Sequence, residues 1–393
     1  MKALTESATL EMTRKSRELK EQGIDVITLS IGEPDFDTPS DVKDAAIQAI
    51  QENFTHYPPV PGIAELRKAI SEKLIRDNGL AYKPSQIIVS NGAKQSIMNA
   101  LFSLINEGDE VIIPAPFWVS YPEMVKLASG TPVIVPSSVE TDFKISPRQL
   151  EEAITPYTKA FIFSSPCNPS GSVYTRAELK AFAEVFEKYP EVMIISDEIY
   201  EYIRFQGEHQ SIAQFSEIFD RVILINGLSK GYAMTGWRVG YMAAAQWVAD
   251  ACNIIQGQYT SGSCTISQAA ALKAVSTNPA DSAELQEMVR QFERRRDLLY
   301  NLLSEIQGVK PNMPRGAFYM FPDVSYYFGK TDGVTMVRNS YDLCLYLLAE
   351  AHVALVSGDA FGNDECIRFS YATTEAQISE AVRRVKQALA RLQ

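Results

Sequence analysis

Three polar segments of the sequence stand where predicted strands end or begin, and ligands commonly bind at such positions. They are SSPCNPSG (164–171), SDEIYEY (196–202) and NGLSKGYAMTGWRVGY (226–241). They contain an amine, a carboxylate and a guanidinium at Lys230, Asp197 and Arg238. A lysine amine can form a covalent bond with a carbonyl group, and a carboxylate can hold a proton or a cation. Taken singly, the same residues also fit a solvated lysine, a helix N-cap and a salt bridge.

A fourth segment, IIVSNGAKQSIMNALF (87–102), is typical of a strand, a short turn containing Gly92 and a helix. Backbone N–H groups at the start of such a helix, here at Ala93 and Lys94, are free to bind an anion, and the helix macrodipole favours one. The segment therefore suits a phosphate, although a plain connecting turn would have a similar pattern.

The residues GLSKG (227–231) also match G-x-S-x-G, the pattern of a serine-hydrolase nucleophile, with Ser229 in the nucleophile position. That arrangement requires a helix directly after the serine. The following YAMTGWRVGYMAAA instead leads quickly into a strand pattern, and His352 is the only later histidine that could act as a base. We therefore do not expect a serine hydrolase.

Composition and charge limit the possible partners. The chain is 46% hydrophobic and 22% charged, as in a folded soluble protein, and its net charge of −11 argues against nucleic acid or an anionic membrane as a partner. Five scattered cysteines argue against a disulfide framework, and three distant histidines argue against a transition-metal site. The amino terminus lacks the apolar stretch of a signal peptide, and no segment approaches the ~18 apolar residues of a membrane span. We expect a cytoplasmic protein.

From residue 85 onward short β-rich runs alternate with helical patterns, which is the rhythm of an α/β fold. Runs such as EVIIPAP, KAFIFSSP, VMIISDE and RVILING are largely apolar, which favours a mostly parallel sheet covered on both faces. After about residue 283 a long charged helix, isolated strands and a closing helix indicate a second domain. The run Arg294, Arg295 and Arg296 is flanked by acidic residues, so we expect a solvated helix face there rather than a nucleic-acid site.

In combination, these segments resemble the signature segments of the class I aminotransferases. IGEPDFDTP (31–39), HYPPVPGIAELR (56–67) and RFSYAT (368–373) accompany them in matching order, and the similarity covers nearly the whole chain. The resemblance implies the type I fold of pyridoxal 5′-phosphate (PLP)-dependent transferases, an α/β fold with a mostly parallel central sheet flanked by helices. It implies a large PLP-binding domain at 41–286 and a smaller α/β domain formed by 1–40 and 287–393.

The resemblance also implies roles around the cofactor ring. Lys230 matches the lysine that holds the PLP aldehyde as an imine and later acts as a base at the substrate Cα. Asp197 matches the carboxylate that keeps the pyridine nitrogen protonated; two unit charges ~4 Å apart attract by about 4 kcal/mol at an effective dielectric of ~20. Tyr200 and Asn168 match the pair that hydrogen-bonds the phenolic oxygen of the ring. Trp118, in PAPFWVSYP, matches the aromatic residue that stacks on the ring, although core packing would also explain it.

At the phosphate end, Arg238 matches the family's phosphate-binding arginine, whose planar fork suits phosphate oxygens. The resemblance also places Gly92, Ala93, Lys94 and Ser229 there. One position departs from the family, because Gly227 stands where some members have a serine on the phosphate. Gly227 has no side chain to make that contact, so we expect the remaining groups to bind the phosphate.

The resemblance assigns substrate binding to Gly32, Lys94, Trp118, Asn168 and Arg368. Arg368 matches the arginine that binds the α-carboxylate, and Gly32 matches the glycine whose backbone approaches the same group. Lys94 bears on specificity because a cation in the first turn of a helix opposes the macrodipole and favours a nearby anion. Some aspartate-using bacterial members have a lysine in this position, which implies a dicarboxylic amino acid; a solvated lysine is the alternative.

The implied reaction moves an amino group from an acidic amino acid such as L-aspartate to 2-oxoglutarate, with PLP and its pyridoxamine form alternating. Tyr57 is implied to reach the phosphate of the neighbouring subunit's cofactor, so the expected active unit is a homodimer. Aromatic, alanine or prephenate-type substrates, or a C–S β-lyase reaction, remain alternatives, because the fold does not choose among them. A non-catalytic regulator is not expected, because the family segments begin within about 30 residues of Met1 and leave no room for a DNA-binding domain.

Overall fold

The computed structural model of the chain describes residues 8–393. Its strands are β1 (Ile27–Thr28), β2 (Ile87–Ser90), β3 (Glu110–Pro114), β4 (Thr131–Val135), β5 (Thr158–Ser164), β6 (Met193–Asp197), β7 (Val222–Gly227), β8 (Gly240–Ala243), β9 (Tyr319–Met320), β10 (Val353–Ala354), β11 (Val356–Ser357) and β12 (Ile367–Ser370). Its α-helices are α1 (Ala8–Glu21), α2 (Ser40–Gln51), α3 (Ala64–Asn78), α4 (Ala93–Leu104), α5 (Tyr121–Leu127), α6 (Pro147–Ala153), α7 (Arg176–Glu187), α8 (Gln246–Tyr259), α9 (Thr265–Ser276), α10 (Ala283–Ser304), α11 (Ser340–Glu350) and α12 (Glu375–Leu389). Residues 1–7, where the predicted small domain and the segment inspected for a signal peptide begin, lie outside the described residues.

The central sheet has seven strands in the order β2-β8-β7-β6-β5-β3-β4. Strand β8 runs antiparallel to both of its neighbours, and the other neighbouring pairs are parallel. Every residue of β2, β6, β7 and β8 is buried. The prediction of a mostly parallel sheet is confirmed, and the apolar runs are strands whose two faces are both covered.

Helices cover both faces because successive strand residues point to opposite sides of a sheet. Val111 and Ile162 belong to an apolar cluster with residues of α4, α5 and α8. Their neighbours Ile112 and Phe161 belong to a second cluster with residues of α3, α7 and α9. This layering leaves the carboxyl ends of the parallel strands at one edge of the sheet, where the connecting loops meet.

The region after residue 283 contains the long helix, the short strands and the closing helix that the sequence predicts. Helices α10 and α12 pack together, and β11, β12 and β9 form an antiparallel sheet. Strand β1 pairs in parallel with β10, which joins the amino-terminal segment to this region. The buried side chains of this region belong to the same apolar cluster that covers one face of the central sheet. The members of that cluster run from Met12 to Leu392 in the sequence. Within residues 8–393 no helix is both long enough and apolar enough to cross a bilayer.

The expectation of a solvated face for the arginine run is wrong for two of its three residues. Arg295 is 5% exposed and Arg296 is 7% exposed, whereas the Arg294 side chain is 61% exposed. Arg295 donates a hydrogen bond of 2.6 Å to Asp35 and lies over the ring of Phe36. These partners come from a segment some 260 positions away, so the acidic residues beside the run could not reveal them.

Candidate active site

A cavity of about 600 Å³ opens at the carboxyl edge of the central sheet, where the chain leaves β5, β6 and β7. The predicted site residues that line it are Gly32, Ala93, Lys94, Trp118, Asn168, Asp197, Tyr200, Ser229, Lys230, Arg238 and Arg368. Gly32 and Arg368 come from the two ends of the chain, and the rest come from the segment around the central sheet. The fold therefore brings together residues that are more than 300 positions apart.

Two predicted site residues do not line the cavity, Gly92 and Tyr57. Gly92 precedes α4 with φ 82°, and a Cβ atom on it would lie 2.3 Å from Nη2 of Arg238. A glycine is therefore what lets this guanidinium approach the start of α4. Tyr57 is 94% exposed and lies on the surface of this chain, so its predicted contact with a second subunit stays a prediction.

The start of α4 and Arg238 form one end of the cavity. Arg238 adopts φ 55°, a conformation that non-glycine residues rarely have and that often occurs at functional sites. Its Nη1 donates to the carbonyl oxygen of Thr235 at 2.9 Å, and it forms no ion pair with any residue between 8 and 393. A Cβ atom on Gly240 would lie 2.2 Å from the backbone nitrogen of Ala93, so β8 can lie directly against the helix terminus.

The structure also explains the departure at Gly227. This residue pairs with Gly240 across β7 and β8. A Cβ atom on Gly227 would lie 2.9 Å from the Cα atom of Gly240 and from the carbonyl oxygen of Val239. Backbone atoms cannot move aside as a flexible side chain can, so this strand pair leaves no room for a serine.

Lys230 follows β7 in a turn, and its Nζ donates a hydrogen bond of 2.6 Å to the carbonyl oxygen of Gly32. Burial lowers the pKa of Lys230 to about 8, with repulsion from Arg238 and Arg368 acting in the same direction and attraction to Glu33 and Asp197 opposing it. Residues 228–239 contain turns and no helix, which confirms that Ser229 is not on a nucleophile elbow.

Asp197 ends β6 and is 5% exposed. Its Oδ2 accepts a hydrogen bond of 2.6 Å from the hydroxyl of Tyr121, and its Oδ1 accepts one of 3.3 Å from the backbone N–H of Ile199. Burial raises the pKa of Asp197 to about 6, although both hydrogen bonds lower it. A buried carboxylate that faces the cavity is thus available to a cationic ligand.

Arg368 is 2% exposed and has only neutral partners. Its Nη1 donates to Oδ1 of Asn168 at 2.9 Å and its Nη2 to the carbonyl oxygen of Ser30 at 2.6 Å, while Nε has no partner among the described residues. The guanidinium lies 4.7 Å from the ring centre of Tyr319, whose hydroxyl is 2.9 Å from that of Tyr200. Burial lowers the pKa of Arg368, so a bound anion would stabilise its charge.

Lys94, in the first turn of α4, has its Nζ 4.9 Å from the ring centre of Trp118. Its side chain is exposed toward the cavity and forms no ion pair within residues 8–393. Desolvation and repulsion from Arg238 lower the pKa of Lys94. An anion beside Trp118 would relieve both effects.

Among the lining residues that the sequence did not predict are two tyrosines, Tyr121 and Tyr319. Tyr121 is in the same PAPFWVSYP segment as Trp118, three residues later, so its neighbour was a usable signal. Tyr319 is in AFYMF, which has the pattern of an ordinary core strand. Its proximity to the site depends on how β9 packs, which no local pattern reveals.

A separate polar cluster that contains Glu198 and Glu201 lies outside the cavity. Glu198 directly follows Asp197 in the chain, and Glu201 directly follows Tyr200. Glu198 and Glu201 approach His209 so that one potential ligand atom from each lies within 4.8 Å of the others. Histidine and cysteine spacing in the sequence indicated no metal site, and it could not have indicated this grouping. Glu201 pairs with Lys73, and Glu198 accepts hydrogen bonds from two serines at 2.6 and 2.9 Å.

The model of the family "Aminotransferase class I and II" matches residues 24–385. The bifunctional aspartate aminotransferase and glutamate/aspartate-prephenate aminotransferase of Petunia hybrida is 49% identical over 385 residues, which is 98% of this chain and 80% of that protein. The aspartate aminotransferase structure from Rhizobium meliloti has a TM-score of 0.96 at 40% identity and covers 100% of this chain and 98% of its own. The structure from Thermus thermophilus with maleate has a TM-score of 0.93 at 39% identity and covers 98% of both chains. The chain belongs to the class I and II aminotransferases and has their fold.

Proposed function

We propose that this aminotransferase uses PLP and moves an amino group from an acidic amino acid, with L-aspartate as the first candidate, to 2-oxoglutarate. The observation that carries this proposal is a set of three cations in addition to Lys230. Lys94, Arg238 and Arg368 all line one cavity, and none has an ion pair within residues 8–393. Three separate anionic groups would satisfy them, namely a cofactor phosphate and the two carboxylates of a dicarboxylic substrate.

The residues present fit the cofactor. The phosphate would be held by the first N–H groups of α4, Ser229 and Arg238, because the missing Cβ atoms of Gly92 and Gly240 let Arg238 and β8 lie against the start of this helix. The ring would lie against Trp118, with Tyr200 and Asn168 near its phenolic oxygen and Asp197 at its nitrogen. When bound, the cofactor supplies an aldehyde for Lys230 and a protonated ring that withdraws electrons from the substrate.

The side chains then divide the proton chemistry. Lys230, with a pKa of about 8, is close enough to neutrality to take the proton from the substrate Cα, and it would deliver that proton to the former aldehyde carbon of the cofactor, across the shared nitrogen. Asp197 would hold a proton on the ring nitrogen by its negative charge. Tyr200, whose hydroxyl is hydrogen-bonded to that of Tyr319, would hold a hydrogen bond at the phenolic oxygen.

Two cations support the acidic substrate. The fork of Arg368 would bind the α-carboxylate in place of its weaker neutral contacts, and the backbone of Gly32 closes the same corner. Lys94 would bind the side-chain carboxylate next to Trp118. Maleate, present in the Thermus structure, is itself a four-carbon dicarboxylate.

We further propose a homodimer in which Tyr57 reaches the partner's cofactor phosphate. Ile47, Ile50, Phe54 and Tyr57 are all exposed in the single chain and form an apolar stretch that a second copy would cover.

The division into a large domain at 41–286 and a small domain at 1–40 and 287–393 is also a proposal, supported by the separate short sheets of the second part. The five free thiols suit a reducing compartment such as the cytoplasm.

The test uses the PLP-loaded protein without an oxo acid. Addition of L-aspartate should remove the visible absorbance band, and 2-oxoglutarate should restore it. A band that resists aspartate but responds to another donor would contradict the acidic substrate. Failure to form any visible band would contradict the cofactor itself.

Prephenate is a second candidate amino acceptor, because the Petunia relative has this activity in its name. Prephenate has two carboxylates, as Lys94 and Arg368 require. The converted protein from the previous experiment should then recover its band when prephenate replaces 2-oxoglutarate. No recovery would remove prephenate from the candidates.

A further inference from the structure

Tyr121 is a buried tyrosine that the proposed reaction does not yet use. It is the first residue of α5 and is 1% exposed. Its hydroxyl is 2.6 Å from Oδ2 of Asp197, and its ring packs edge-on against Trp118 at 5.5 Å between ring centres. A single side chain thus contacts both the residue expected at the ring nitrogen and the residue expected on the ring face.

Tyr121 is the only side chain among the described residues that donates a hydrogen bond to Asp197. Tyr200 also comes close, but its hydroxyl is paired with that of Tyr319. The N–H of Ile199 contributes a longer bond of 3.3 Å to the other oxygen. A carboxylate has about four lone-pair positions, so room remains for one cationic ligand atom.

The surroundings of Asp197 make such a donor necessary. The charge of Glu198 repels the carboxylate of Asp197, and the charge of Lys230 attracts it. Tyr200 and Cys167 are buried nearby and carry no positive charge. With burial as the largest effect, the pKa of Asp197 is about 6, so the carboxyl would titrate close to neutrality. Burial raises the pKa of Tyr121 well above its ordinary value, so this hydroxyl remains a donor at any pH at which the protein works.

We infer that Tyr121 is a positioning residue, whose hydroxyl keeps Asp197 ionised and aimed into the cavity and so sets the affinity for a ligand with a cationic ring nitrogen. The second half of this inference rests on the proposed function. The first half concerns the protein alone, and the two are tested separately.

The first experiment uses cofactor-free protein and the variant Tyr121→Phe. Tyr82→Phe is the control, because Tyr82 is also buried and its hydroxyl has no partner among the described residues. Since the folded-state pKa of Asp197 lies above the unfolded value, ionisation of Asp197 lowers stability as the pH rises toward about 6. Loss of the donor raises that folded-state pKa further, so the decline extends to higher pH.

The folding equilibrium constant of Tyr121→Phe, relative to wild type, should therefore be smaller at pH 8 than at pH 5. The expected change is about tenfold for each unit by which the pKa of Asp197 rises. Tyr82→Phe should show no such dependence. If both variants respond to pH alike, Tyr121 does not stabilise the ionised carboxyl and the inference is overturned.

The second experiment measures the PLP dissociation constant at pH 8 from quenching of tryptophan fluorescence. Tyr121→Phe should bind the cofactor about tenfold more weakly than wild type and than Tyr82→Phe, as for a lost charge-assisted hydrogen bond. A constant within twofold of wild type would overturn the inference. If wild type itself binds no PLP, the proposed function fails, and the first experiment still decides the contact between Tyr121 and Asp197.

Discussion

The stretch from Asp197 to Glu201 contributes residues to two polar regions that differ in how their charges are paired. Asp197 and Tyr200 line the cavity, whereas Glu198 and Glu201 join a cluster that also holds Lys73. In this cluster the charges satisfy one another. Burial alone would raise the pKa of Glu201, but Lys73 and its other partners lower it overall.

In the cavity the balance is different, because the basic side chains of Lys94, Arg238 and Arg368 have only neutral contacts among the described residues. Arg368 is buried, whereas Lys94 and Arg238 are exposed. A buried charge that is left uncompensated costs stability unless a ligand compensates it. The pairing of charges, rather than their burial, distinguishes the structural cluster from the candidate binding site. Four substitutions test it.

The largest effect is expected for Lys230→Ala. Turnover should fall by at least about ten-thousand-fold, because Lys230 is both the proposed amine for the cofactor and the proposed base at the substrate Cα. Thermal unfolding should occur at or above the wild-type temperature, since a partly buried ammonium is removed. Steady-state assays and a melting curve check both expectations, and near-normal turnover would contradict the role proposed for Lys230.

In the structural cluster, Glu201→Gln should lower the free energy of unfolding by about 3–5 kcal/mol, because it leaves the buried ammonium of Lys73 unpaired. Urea unfolding measures this change. The control is Glu184→Gln, which breaks an exposed pair with Lys180 and should cost less than about 1 kcal/mol. Equal losses in the two variants would contradict the contrast.

In the cavity, Arg368→Gln should weaken substrate binding rather than lower stability. The KM for L-aspartate should rise about 100-fold, as two charge-assisted hydrogen bonds to the substrate are lost, while stability should not fall. Arg383→Gln, at an exposed pair with Glu380, should change neither quantity. An unchanged KM in Arg368→Gln would argue against its role in carboxylate binding.

The smallest effect is expected for Lys94→Ala. The preference for aspartate over alanine, taken as the ratio of kcat/KM values, should fall about 5- to 150-fold, the equivalent of ~1 to 3 kcal/mol. Lys68→Ala, on an exposed face of α3, should leave the ratio unchanged. If the ratio also survives Lys94→Ala, the specificity depends on another residue.

Local patterns in the sequence were sufficient for much of the fold. Apolar runs such as VMIISDE correspond to a buried strand, here β6, because a parallel strand covered on both faces needs apolar residues throughout. The same approach failed for Arg295 and Arg296. Flanking acidic residues suggested a solvated face, but Asp35 and Phe36, far away in the chain, bury Arg295.

Motifs and their spacing were enough to predict the family, the order of the main elements and many of the residues that meet in the cavity, although Tyr121 and Tyr319 were not among them. Which of those residues have partners depends on how distant segments pack in the folded chain. That packing paired Tyr121 with Asp197, left Arg368 with neutral neighbours, and separated Glu201 from the cavity. Pairing depends on contacts between segments more than 70 positions apart, and on which oxygen or nitrogen is within hydrogen-bonding distance, and no local pattern carries that information.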